Sequence, residues 1–159
     1  MNDTHVPPLL TLENLWQFSL RYYSVREVKD ACLCLQNRFH GNVNVLLLLK
    51  WLDEQQLTFP EQGWATIADA LARTENLIEH YRDLRRKLKS HLPDTLYREA
   101  LQFELQIEKQ QQADLITCIE QLPLTAQTEQ PLTSHYCQQL GAQGLSKIFL
   151  PSISTLTKA

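Results

Sequence analysis

The chain has 159 residues and a formal net charge of -3. That length fits one domain able to bury roughly two thirds of its unfolded surface without disulfides, and that charge argues against nucleic-acid binding over the whole surface. The longest apolar run, Val43 to Leu49, is far short of the ~20 residues a membrane span needs.

Twenty-nine leucines stand against twelve valines and isoleucines. This balance favours helix, because β-branched side chains lose χ1 freedom there and leucine does not. The four cysteines, Cys32, Cys34, Cys118 and Cys137, form no CxxC pair, and Asp3, Thr4, His5, Pro7 and Pro8 interrupt anything resembling a signal peptide. A single reduced, cytoplasmic domain is expected.

Residues 1–10 are expected to be disordered. Thr11 is placed to cap a first helix running to about Tyr23, with Leu12, Leu15, Trp16, Ser19 and Tyr23 on a wide stripe. Ser24-Val25-Arg26-Glu27 has the form of a capping box opening a second helix. Its seam is Val25, Val28, Cys32, Leu35 and Phe39, and Gly41 is expected to end it in the left-handed conformation. Asn42 then caps a third helix whose residues from Val43 to Leu52 include only Asn44 and Lys50 as polar members. A helix apolar on every side is a buried helix, so this one is expected at the centre.

Leu57 to Gly63, containing Pro60, reads as a connection, and Trp64, Ile67, Ala68 and Leu71 as a short helix. A longer helix is expected from about Thr74 to His91, with Leu77, Ile78, Tyr81, Leu84 and Leu88 facing inward. Asp94 caps the longest, from about Thr95 to Leu122, with Leu96, Ala100, Phe103 and Ile107 facing inward. The short link through Pro93 makes these two an antiparallel hairpin. After Pro123 the composition shifts to Thr, Ser, Gln and Pro. One short helix is expected over about Leu132 to Leu140, a turn near Leu145 to Phe149, and a frayed end from Ser152. The expected fold is therefore all-α: about six helices around a short, fully apolar central helix, with a helical domain over 11–122 and a partly ordered extension over 123–159.

Several of these residues resemble an uncharacterised bacterial helical family, domain of unknown function 2390. They are Trp16-x-Phe18 with Tyr23, Ala31-Cys32-Leu33-x-Leu35-Gln36, Asn42-Val43-Asn44-x-Leu46-Leu47 leading to Trp51-Leu52, Arg82-x-Leu84-Arg85-Arg86-x-Leu88-Lys89, Tyr97, and Glu104-Leu105-x-x-Glu108. The resemblance covers about Leu12 to Leu122 and implies a small helical protein with no catalytic residues to carry over.

The strongest charged feature is the basic stretch Arg82, Arg85, Arg86, Lys87 and Lys89. Arg82, Arg86 and Lys89 share a helical face that can track phosphates or an acidic partner. The blander reading makes them cations favoured at a helix C-terminus, with Asp83 and Lys87 an i,i+4 pair. Counting back from Pro93 brings Glu104 level with Arg82 or Arg85, and interhelical ion pairs are expected there among Glu104, Glu108, Arg82 and Arg85. No Glu-x-x-His motif accompanies those carboxylates, so no metal is expected. The cysteines lack knuckle spacing and read as small core hydrophobes, and His40 as a helix-end residue. Phe18 and Tyr22 are candidates to line a surface groove, since the first helix carries more aromatics than one neighbour can cover.

No phosphate loop, dinucleotide fingerprint, nucleophile elbow or zinc-protease motif occurs, so no cofactor is expected. The leading expectation is a non-catalytic protein-protein interaction or adaptor module. Next stands an RNA- or ribosome-associated factor using Arg82, Arg85, Arg86 and Lys89, and then a binder of a hydrophobic small molecule.

Overall fold

The computed structural model describes residues 10–156. Residues 1–9 of the N-terminal stretch expected to be disordered, and 157–159 of the end expected to fray, lie outside them. The elements are α1 (Leu12–Tyr23), α2 (Arg26–Phe39), α3 (Val43–Glu54), β1 (Leu57–Thr58), α4 (Gly63–Leu71), α5 (Glu75–Leu88), α6 (Asp94–Glu120), β2 (Thr125–Ala126), α7 (Leu132–Leu140) and α8 (Ile153–Leu156). Short 3-10 helices follow α5 at Lys89–His91 and α7 at Gln143–Ile148. The class is all-α, relieved by one antiparallel pairing of Leu57 with Ala126 and Thr58 with Thr125, where sequence reading expects only a connection. The chain forms two compact units. Among the described residues, one comprises 10–60 with 122–156, and the other Glu61–Gln121.

The first unit is organised by α3. Asn42 Oδ1 accepts from Val45 N at 2.9 Å, capping the helix as its sequence requires. Every residue from Asn44 to Leu52 is buried. Successive side chains turn by about 100°, so nine in a row occupy all sides of the helix, and α1, α2 and α7 pack against it. From α1 come Leu15, Phe18 and Tyr22, and from α2 Val28, Ala31, Cys32 and Leu35.

Two local expectations are corrected here. Ser24 does not enter a capping box, because its Oγ donates back to the Arg21 carbonyl at 2.6 Å and closes α1 instead of opening α2. The left-handed residue after α2 is His40, with φ of 59°, and not Gly41. Gly41 serves close packing: a Cβ there would lie 2.7 Å from Leu35 Cγ and 2.8 Å from Leu140 Cδ1.

Residues beyond Pro123, where the composition shifts, are fastened to α3 by charged side chains, chiefly Asp53 and Lys50. Asp53 accepts from Leu132 N at 2.8 Å, Thr133 N at 3.1 Å, Thr133 Oγ1 at 2.9 Å and Gln127 Nε2 at 2.8 Å. A carboxylate at that place satisfies the unpaired donors of the α7 N-terminus and complements its dipole. Lys50, 2% exposed, donates to the carbonyls of Phe149 at 2.8 Å and Pro151 at 3.0 Å and pairs with Glu54 at 3.1 Å. A lysine in an otherwise apolar helix is tolerated because its ammonium is fully partnered.

The second unit holds α4, α5 and α6, with α6 packed along both of the others. Gln111 Nε2 donates to the buried Thr74 Oγ1 at 3.0 Å, and Arg73 pairs with Asp114 at 2.7 Å. Tyr81 Oη donates to the Ala100 carbonyl at 2.8 Å nearer the turn. Partner numbers that rise on one helix fall on the other, which is the signature of an antiparallel hairpin.

Candidate functional site

The contact between α5 and α6 is made largely by charged residues. Arg85 Nε reaches Glu104 Oε1 at 2.5 Å, while Arg82 reaches Glu104 at 3.3 Å and Glu108 at 3.2 Å. Tyr97 Oη accepts from Arg85 Nη1 at 3.1 Å. Glu104 is buried and the other four are partly so. The hydrogen bond from Glu104 to the Arg85 guanidinium raises the arginine's already high pKa. The carboxyl of Glu108 is raised above its ordinary 4.5 because burial outweighs the opposing pull of Arg82.

This arrangement corrects the expected inner faces. Leu84 and Arg85 are neighbours on α5 and point about 100° apart; with Arg85 aimed at α6, Leu84 cannot be. Leu77 is 57% exposed, Leu84 51%, Leu96 48% and Phe103 52%. Tyr81 and Leu88 lie beside the first pair half-buried, as do Ala100 and Ile107 beside the second. Tyr81 and Phe103 touch across the hairpin, their ring centroids 5.4 Å apart. The two apolar rows expected to close on one another therefore run side by side on one face, open to water within their unit. Isolated exposed leucines are ordinary on a protein surface, but a continuous patch of this kind marks an interaction site.

The basic candidates are dispersed. Arg82 and Arg85 are engaged with the α6 carboxylates. Arg86 is exposed and loosely paired with Asp83 at 3.4 Å, and Lys89 lies 5.9 Å from the ring centroid of Tyr97. The expected face of Arg82, Arg86 and Lys89 is split, with its first member turned into the hairpin.

The aromatic candidates lie in the first unit. Tyr22 is completely buried and stacks on Phe18 with centroids 5.5 Å apart, while Lys50 Nζ stands 5.7 Å from its ring centroid. Tyr22 therefore lines no groove, because Phe18 and α3 cover it. Phe18, 4% exposed, forms the floor of an open depression of about 620 Å³ whose walls include Leu20, Arg21 and Trp51.

The cysteines of the described chain are free thiols. Burial pushes Cys32 up to about 12, helped by the neighbouring Cys137, and Cys137 up to about 11, which leaves both unreactive near neutrality. Among the described residues no three His, Cys, Asp or Glu side chains converge as a metal site, and no helix is long and apolar enough to cross a membrane.

Sequence reasoning missed the open apolar face, and a signal for it was present. An apolar row and a row of charges level with opposite charges on the next helix cannot both face that helix. No curated protein and no solved structure matches the chain. Residues 14–115, which run from the first turn of α1 through most of α6, match a family described as a protein of unknown function, DUF2390. The chain belongs to that family.

Proposed function

We propose that the chain is a non-catalytic interaction module that binds protein through the open face of the α5–α6 hairpin. The observation that carries this reading is the double row of Leu77, Leu84, Leu96 and Phe103, each about half exposed, on two helices held together by partly buried ion pairs. Burying those four side chains against a partner would contribute several kcal/mol at roughly 25 cal/mol per Å² of apolar area. The RNA-associated reading loses support because Arg82 and Arg85 already serve Glu104 and Glu108. A cytoplasmic setting belongs to the same reading, supported by thiols that form no disulfide among the described residues.

The test is recovery of the tagged chain from its own cells with and without nuclease, beside Leu84→Asp/Phe103→Asp. Both changes are at exposed positions, so the variant is expected to fold. A protein partner, including an untagged copy of the chain, that survives nuclease and moderate salt and is lost in the variant supports the reading. RNA recovered only while Arg86 and Lys89 are intact, with steep salt dependence, counts against it.

A further inference from the structure

We infer that the occupant of the open hairpin face is a second copy of this chain, joined about a two-fold axis parallel to α5 and α6 into a four-helix bundle. The inference deepens the interaction-module reading and rests on it.

The spacing of the face is the first observation. Leu77, Tyr81, Leu84 and Leu88 succeed one another at four, three and four residues, and Leu96, Ala100, Phe103 and Ile107 repeat the same interval. Alternation of four and three is the seam of helices packed at about 20°, with knobs entering holes. Each hairpin supplies two parallel seams, which is half of a bundle core. The overlap is about 21 Å long for the 14 residues of α5 and about 20 Å wide for two helices. By that footprint the face covers about 420 Å² per copy, below the standard size of a stable interface and in the range of weak, reversible association.

Charge at the edges selects the occupant and its orientation. On the wheel, the flank of α5 turned away from α6 carries His80 and Lys87, and the corresponding flank of α6 carries Glu99 and Gln106. All four are exposed. The intrachain pair of Arg82 with Glu104 fixes which residues are level: 82 and 104 sum to 186, and so do 87 and 99, and 80 and 106. A two-fold axis along the helices keeps residues at their level and lays α5 of one copy over α6 of the other. Lys87 of each copy then meets Glu99 of the other, and neither residue has an ion pair within the described chain. The other face-to-face arrangement, with the axis across the helices, stacks α5 on α5. It would set His80 and Lys87 against their own copies, where the nearest acid, Asp83, is already paired with Arg86. The surface is thus self-complementary in one arrangement, as a two-fold interface must be.

Sedimentation equilibrium of the purified full-length chain tests this, with a dimer expected at micromolar concentration. Leu84→Asp/Phe103→Asp is expected to sediment as the monomer while keeping its helical circular dichroism. Lys87→Glu and Glu99→Lys are each expected to weaken association roughly five- to tenfold, and the two together to restore it. A monomer at ~100 μM, the top of the range where weak association is still detected, overturns the inference. If a monomeric chain loses a different protein partner on Phe103→Asp, the second copy is excluded and the interaction-module reading stands. Tighter association on Lys87→Glu alone would show that α5 faces α5 and overturn the proposed axis.

Discussion

Tyr22 is the least satisfied buried group of the first unit. Its hydroxyl has no hydrogen-bond partner among the described residues, although the side chain is wholly enclosed. Burial, with the nearby Cys32, Glu54 and Asp53 charges adding to it, drives its pKa far above the ordinary 10. The phenol is retained against its desolvation cost by the ring alone, which stacks on Phe18 and faces the Lys50 ammonium. Removing the oxygen while keeping the ring relieves an unpaired buried polar atom, worth about 1 kcal/mol or somewhat more. Tyr22→Phe is therefore expected to raise the unfolding free energy by that amount, seen as a higher urea midpoint with an unchanged m-value. A loss of stability would mean that the hydroxyl has a structural duty in solution. The same enclosure explains why wheel arithmetic misjudged Tyr22. Phe18 and Tyr22 are four apart and share a face, and that face proved to be the one turned to α3, whereas Trp16 and Tyr23, assigned inward, are only half-buried.

At the scale of elements, α3 and the α5–α6 hairpin stand at opposite ends of legibility. The centre of the first unit is readable from sequence because an uninterrupted apolar helix has no solvated alternative, and its Asn42 cap announces itself one residue before the run. Bounds fell close for α1, α6 and α7, but only Thr11 caps as expected: α6 begins at Asp94 itself, after Pro93, with no side-chain cap. The β1–β2 pairing was illegible because two residues per strand leave no periodicity to detect. Asp53 and Lys50 were illegible as fasteners because what they hold lies about 80 to 100 residues later in the chain. The hairpin misled because its seam is charged. Glu104 stands between two arginines, so Glu104→Gln leaves their guanidinium groups partly uncompensated in a low-dielectric contact. A loss of about 1 to 3 kcal/mol is expected in chemical denaturation. A change under ~0.5 kcal/mol, the scale of an exposed pair, would show that water screens the seam and that packing elsewhere holds α5 to α6.

For the whole molecule, the buried acids predict how stability depends on pH. Cys32, Cys137 and Tyr22 belong to the first unit, and each is raised in the folded chain: Cys32 to about 12, Cys137 to about 11, and Tyr22 well above its ordinary range. Cys118, in the second unit, is raised as well, by burial. A raised acid binds more protons folded than unfolded between its ordinary and its shifted pKa, so unfolding becomes easier as pH climbs through that interval. The stability tied to each thiol is fully present below pH 9, the ordinary thiol value, and drains away above it. Each group adds a slope of roughly 1 kcal/mol per pH step while it is protonated only in the fold. Denaturation midpoints measured from pH 8 upward should hold steady to about 9 and then fall progressively more steeply as Tyr22 joins above 10. Cys32→Ala should flatten the slope between 9 and 12 while costing packing at all pH values, which separates the proton linkage from the cavity it leaves. Parallel curves for the variant and the parent would show that the Cys32 thiol titrates normally in the fold, and that solvent reaches the side of α2 that lies against α3.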